Sequence, residues 1–345
     1  VPIHKKFNYY LKEIYKSRML TTNGKLNKLL EKRLKKKLDV KYLVLTCNGT
    51  VSLEVALKTL GIKKGVLTTP FSYVSTPNAC KWLGLKTIFS DIETKSFSID
   101  IKKIGRKIDK VDCIIPTHVF GIAKDLEKIV SFSKKNKKRI IFDAAHCFGI
   151  NYKKKSILNY GDASILSFQA TKVFNTCEGG AIIFNKKKEY EKAKVLINIG
   201  YDYKKKSPLP SMGINAKMSE LNAAWGLALL EKYDEILKLK KKSFRIYKKY
   251  LRIKIINDKF ESNFNYMPVL FSSKSKKNNA IRDLNKKNYY PRKYFYPSLN
   301  TLKHLKDKKM PISESICSRI LCLPNYENLS KSHIVQISNI VNKYA

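Results

Sequence analysis

The chain has 345 residues, 43% of them hydrophobic, and carries 70 Lys and Arg against 27 Asp and Glu, a formal net charge of +43. That length can bury a large core, no apolar run approaches the roughly 18–20 residues needed to cross a bilayer, and the opening VPIHKKFNYYLKEIYK lacks the apolar stretch of a signal peptide. The charge alone suggests nucleic acid, yet nine of the 70 basic residues are arginine and the lysines form short runs along the whole chain, such as Lys153 to Lys155 and Lys240 to Lys242, the pattern of a solvated surface rather than a base-reading one.

From Lys41 to Phe184, short apolar or β-branched runs alternate with helical patterns, which predicts a mostly parallel sheet with crossover helices. In order, YLVLTC, GVLTTP, KTIFSDI, VDCIIPTH, RIIFDAA, ASILSF and GAIIFN are seven strand candidates; VSLEVALKTLGI, VSTPNACKWLG and LEKIVSFSKKN are helices between them. A further helix follows Phe184, and GYDYKKKSPLPSMGINAKMSE then interrupts as a loop of the kind that serves a site or a partner. The stretch from Asn215 to Leu251 reads as one long helix, and beyond Arg252 shorter pieces alternate. The expected organisation is therefore a large domain over 1–240 and a smaller α/β domain over 241–345. The seven cysteines, an odd number without paired zinc-type spacing, read as reduced thiols in a cytoplasmic protein without a metal site.

In a parallel sheet, polar residues just past the carboxyl ends of strands form the binding crevice. Asp143 follows the run RIIF, and Lys172 comes shortly after ASILSF. Each has a plainer reading: Asp143 as the cap of a following helix, Lys172 as one more surface lysine. Together, on two strand ends with small residues between, they suit a flat aromatic cofactor. Pyridoxal phosphate needs an amine for its aldehyde, an acid beside its ring nitrogen and donors for its phosphate. The turn Cys47-Asn48-Gly49-Thr50-Val51 offers those donors at a helix N-terminus, and Ser167 adds a hydroxyl unless it is an ordinary strand-end serine. Tyr73 is placed to stack on a ring, or equally to sit in the core.

The motifs NGTVSLEVAL, PFSYVSTPNAC, DAAHCFG, SFQATKVFNTCEGG and GINAKMSELNAA, in this order, resemble those of the sugar-nucleotide aminotransferases of the DegT/DnrJ/EryC1/StrS family. The resemblance runs from MLTTNGKL at Met19 to LCLPNYENL near the end, and it implies the type I fold of pyridoxal-phosphate enzymes. It further implies that Lys172 is the lysine joined to the cofactor, Asp143 the partner of the ring nitrogen, His146 a neighbour of the ring oxygen and Tyr73 the stacking ring. Gly49, Thr50, Val51 and Ser167 would contact the phosphate, and Asn215 would reach it from the neighbouring subunit of a homodimer. Gln169 and Lys217 depart from the His and Arg that many members carry, which touches substrate contact rather than cofactor chemistry; Arg292 and Thr22 lie in substrate-side segments.

The implied reaction is ping-pong transfer from glutamate, through pyridoxamine phosphate, to a nucleotide-linked keto sugar. ATKVFNTCEGG is most similar to enzymes making 4-amino-4,6-dideoxy sugars for lipopolysaccharide and O-antigen, with dTDP, UDP and GDP all open. The rival readings are amination at carbon 3, a dehydratase of the same fold (whose members carry His in place of the lysine), a silent regulator, and a lysine-rich nucleic-acid-binding protein without cofactor.

Overall fold

The computed structural model describes residues 3–21, 23–202, 207–208 and 212–345. Two helices, α1 (His4–Ser17) and α2 (Lys25–Leu38), lead into the sheet strands and their crossovers. These are β1 (Tyr42–Thr46), α3 (Gly49–Thr59), β2 (Gly65–Thr68), α4 (Ser75–Trp82), β3 (Lys86–Phe89), β4 (Cys113–Ile115), α5 (Leu126–Lys135), β5 (Arg139–Asp143), β6 (Ala163–Ser167), β7 (Gly180–Phe184) and α6 (Lys187–Leu196). The long α7 (Glu220–Tyr250) follows, then α8 (Lys274–Asn285), α9 (Pro311–Arg319) and α10 (Lys331–Asn342), with β8 (Pro268–Leu270) and β9 (Ile320–Cys322) forming a separate antiparallel pair.

All seven expected strands form one sheet in the order β1-β7-β6-β5-β4-β2-β3. β7 runs antiparallel to both its neighbours and the other pairings are parallel. The inner strands are largely apolar because both faces are covered, whereas the edge strand β3 keeps Lys86 exposed. Leu43, Phe142, Leu166 and Ile183 point into a core shared with α2 and α7, while Val44, Ile141, Ile165 and Ile182 point into one shared with α3 and α6. Since β1, β4, β5 and β6 run the same way, Asn48, Thr117, Asp143 and Ser167 come out along one edge. The bridge of Thr117 to Asp143 and the register of Asp143 opposite Ile165 fix that alignment.

Helix α7 starts at Glu220, five residues later than the periodicity suggests, because Ser219 caps it: its Oγ accepts from the Asn222 N–H at 3.1 Å. Its first half lies in the large core, and Phe244 and Tyr247 join Val269, Ile281, Ile334 and Ile337 in a separate one. Glu220 also explains two motifs at once. Its carboxylate accepts from the N–H groups of Leu26 (2.8 Å) and Asn27 (2.9 Å), closing the N-terminus of α2. A Cβ on Gly24 would stand 2.4 Å from the Glu220 carboxyl carbon, so TNGKL and MSEL are halves of one contact. No helix among the described residues is long and apolar enough to cross a membrane, and all seven cysteines are free.

Candidate active site

A cavity of about 350 Å³ opens at the common strand edge. Of the residues predicted from sequence, Gly49, Thr50, Tyr73, Asp143, His146, Ser167, Gln169 and Lys172 line it. Asp143 ends β5 and is buried; no helix follows, so the capping alternative is removed. Its Oδ2 accepts from the Thr76 hydroxyl at 2.6 Å and its Oδ1 from the Ala145 N–H at 3.2 Å. Burial pushes this carboxyl up, while those two donors and the charge of Lys172 pull it back.

Lys172 sits in the loop after β6, and its Nζ donates to the Tyr266 hydroxyl at 3.2 Å. Burial pushes its amine down to about 8; Asp143 opposes that and Arg292 adds to it. At pH 7 roughly a tenth of such an amine is neutral, against about 0.03% for one at the ordinary value. This one lysine therefore differs from the solvated ones in the property an aldehyde-binding amine needs. His146 is buried against Tyr266, ring centroids 4.2 Å apart, accepts the Phe120 N–H on Nδ1 at 3.0 Å, and is held neutral by burial.

The far wall is the start of α3. The Gly49 and Thr50 N–H groups, first in the helix, have no intrahelical acceptor and face an anion favourably. Gly49 packs so closely on Ser167 that a Cβ there would be 3.0 Å from the Ser167 Cβ, which keeps backbone and hydroxyl together. The Thr50 hydroxyl donates to Ser75 at 3.0 Å. Val51 departs from expectation: its N–H goes to the Asn48 cap at 2.8 Å and its side chain packs in the core beneath, so it does not line the cavity.

Tyr73 is 57% exposed at the cavity rim, not in the core, with Phe295 at 6.4 Å. The Gln169 Oε1 accepts from the Thr171 N–H (2.9 Å) and hydroxyl (2.6 Å), folding the loop before Lys172. Arg292 lies outside the lining; its Nη1 donates to the Tyr294 hydroxyl at 3.3 Å, and its backbone is bridged to Cys322. Asn215 is exposed and does not line this chain's own cavity, taking a bond from Lys217 Nζ at 2.7 Å. Lys217 lines a different cavity of about 730 Å³ with Asn23, Asn27 and Tyr201. Thr22 lies outside the described residues.

Sequence reasoning missed Thr76, Thr117, Glu178, Tyr266, Tyr294 and Phe295. Thr76 stands inside PFSYVSTPNAC, where a hydroxyl at the first turn of a crevice helix was a usable signal; Tyr266 had none. The donor set fits pyridoxal phosphate: a buried amine with a low proton affinity, a buried carboxylate on the adjacent strand, and free N–H groups beside a hydroxyl. Among the described residues no cluster of His, Cys, Asp and Glu could hold a metal ion.

Comparison with known proteins shows the family and the fold. The model of the DegT/DnrJ/EryC1/StrS aminotransferase family matches residues 2–342. A dTDP-4-amino-4,6-dideoxy-D-glucose transaminase of Shigella dysenteriae is 36% identical, the alignment covering 99% of this chain and 96% of that protein. The crystal structure of DesI, determined in the presence of its TDP-sugar product, superposes with a TM-score of 0.93 at 24% identity, covering 99% of this chain and 90% of that one. The crystal structure of a protein of Bacillus cereus ATCC 10987 named "putative PLP-dependent aminotransferase" is 27% identical with a TM-score of 0.89, covering 99% of this chain and 97% of that one.

Proposed function

The chain belongs to the DegT/DnrJ/EryC1/StrS aminotransferase family, and from that premise we propose that it moves the amino group of L-glutamate to a nucleoside-diphosphate 4-keto-6-deoxyhexose, giving a 4-amino-4,6-dideoxy sugar nucleotide. It is a sugar-nucleotide aminotransferase working with pyridoxal phosphate. The name of the Shigella relative supports carbon 4 and dTDP for this chain. The observation that carries the reading is the pairing of a half-buried Lys172 with a buried Asp143 in one cavity that ends on the N-terminus of α3.

Pyridoxal phosphate, when bound, supplies the aldehyde that holds nitrogen between the two half reactions and a ring that takes up the electron pair left on the substrate carbon. The chain's residues have separate tasks. Gly49 and Thr50 N–H groups with Ser167 Oγ would hold the phosphate, and Tyr73 and His146 would flank the ring. Asp143 would keep a proton on the ring nitrogen, and Thr76 holds that carboxylate in place. Lys172 Nζ, once free, takes the proton from the donor carbon and returns one on the opposite side of the exchange. Its lowered proton affinity suits an amine that must act as base and then as acid. Arg292, with no ion pair among the described residues, and Gln169 are assigned to substrate.

A second copy would complete the site. Leu20 and Leu221 flank the 215–220 stretch on one side, Ile199, Met212 and Ile214 on the other, and all five are exposed. That surface supports a homodimer in which Asn215 enters the partner's cavity. The charge of +43 would draw in the anionic sugar nucleotide. We place the reaction in the cytoplasm, ahead of surface-polysaccharide assembly.

The test is a panel of dTDP-, UDP- and GDP-linked 3- and 4-keto sugars incubated with glutamate and read by mass. The expected product is amination of a 4-keto sugar, lost in Lys172→Ala. Turnover of 3-keto sugars alone would move the assignment to the carbon-3 enzymes.

A further inference from the structure

Residues 263–266 lie just ahead of β8, far along the chain from the sheet, yet they touch both loops that carry the proposed chemistry. Asn263 Nδ2 donates to the carbonyls of His146 (3.0 Å) and Phe148 (3.1 Å), on the loop after β5. Asn265 Nδ2 donates to the Thr171 carbonyl at 3.1 Å, on the loop after β6. Between these braces, Tyr266 is buried with its ring against His146, and its hydroxyl oxygen takes the bond from Lys172 Nζ. Burial pushes the phenol's ionisation well up, so the hydroxyl stays neutral.

We propose that Tyr266 is a positioning residue for Lys172: its phenol oxygen holds one N–H of the free amine, so that the Nζ lone pair stays aimed into the cavity during proton transfer. This rests on the reading of Lys172 as the proton-moving base. A lysine stem has four rotatable bonds, and an amine released into a cavity samples many positions unless one of its hydrogens is held. The bond does more than restrain. The groups facing Lys172 are Asp143, which favours the ammonium, Arg292, which disfavours it, Cys147, and a neutral His146. Tyr266 joins them as a neutral acceptor, and an acceptor stabilises the ammonium more than the amine.

The distinguishing experiment follows the visible absorbance that develops when cofactor-free protein is mixed with pyridoxal phosphate, from pH 6 to 10. In Tyr266→Phe the midpoint of the rate should move down by roughly one unit, because Lys172 loses an acceptor without losing a charge. In the loaded enzyme kcat should fall about tenfold with the keto-sugar KM within about twofold, the signature of lost orientation rather than lost binding. Tyr266→His, which keeps a buried ring with an acceptor, should recover part of both. Asn263→Ala serves as the control for a purely structural strut: it should lower the melting temperature and leave the pH midpoint in place. An unmoved midpoint with unchanged kcat in Tyr266→Phe overturns the proposal, as does an equal shift in Asn263→Ala. A wild-type protein that never develops the band would instead sink the assignment of Lys172 itself.

Discussion

Replacing Lys172 by methionine should abolish turnover and yet make the cofactor-free fold more stable near neutral pH. The drop of the Lys172 amine from 10.5 to about 8 corresponds to ~3 kcal/mol of penalty on the buried ammonium. Part of the residue faces the open cavity, where water screens the charge, so ~2 kcal/mol is the figure to carry forward. The sign follows from the folded value lying below the unfolded one: the penalty is complete below pH 8, shrinks as pH rises, and is gone above 10.5. Methionine matches the stem's shape but leaves the Tyr266 hydroxyl without its donor, a pH-independent loss of about 1 kcal/mol. The net gain is then ~1 kcal/mol at pH 7 and about zero at pH 9.5. Urea unfolding of both proteins without cofactor, at the two pH values, reads this directly. A stability difference that is the same at pH 7 and 9.5 would refute the claim that Lys172 carries a desolvated charge.

Four further outcomes are expected. Asp143→Asn should cost about a hundredfold or more in kcat, and Thr76→Val, by removing a donor to a carboxyl already pushed up by burial, should move the acid limb of kcat/KM to higher pH while leaving the plateau; an unmoved limb would detach Thr76 from the site. Asp91, whose carboxylate accepts from the Ile312 N–H (3.0 Å) and the Ser313 N–H (2.9 Å) and hydroxyl (2.6 Å), ties the start of α9 to the end of β3. These donors hold it below 3.8, so its contribution is present above that pH and lost as pH falls through the lowered value; Asp91→Asn should lower urea stability at pH 7 by ~1–2 kcal/mol and flatten the acid loss. Gly24→Ala should cost about 2 kcal/mol through collision with Glu220, and that cost should disappear in a Glu220→Ala background, a coupling a double-mutant cycle measures.

Much of this protein is written locally. The inner strands were legible because a strand covered on both faces must be largely apolar, and RIIFD or GAIIF says so without reference to anything distant. Asp143 and Ser167 were legible for a related reason: a polar side chain that closes such a run has to emerge at the strand's end, and parallel strands bring their ends together, with Lys172 in the loop that follows. The NGT turn declared a helix start by its own chemistry. The family motifs spanned the same pieces, since they are drawn from the same loops.

What the chain order does not contain is which remote surfaces meet. The Tyr266 hydroxyl reaches Lys172 across 94 residues, and the loop residues 263–266 show no periodicity or turn chemistry that marks them. The Glu220 carboxylate closes α2 from 194 residues away, and the missing Cβ of Gly24 makes the room for that acid. Val51 read as a phosphate contact because it stands beside Gly49 and Thr50, whereas the Asn48 cap consumes its N–H. In each case the deciding quantity is a distance between segments set by how the sheet, the long helix and the C-terminal core pack. Short-range pattern specifies elements and their ends; only the closed tertiary structure specifies which side chain completes another's hydrogen bonds.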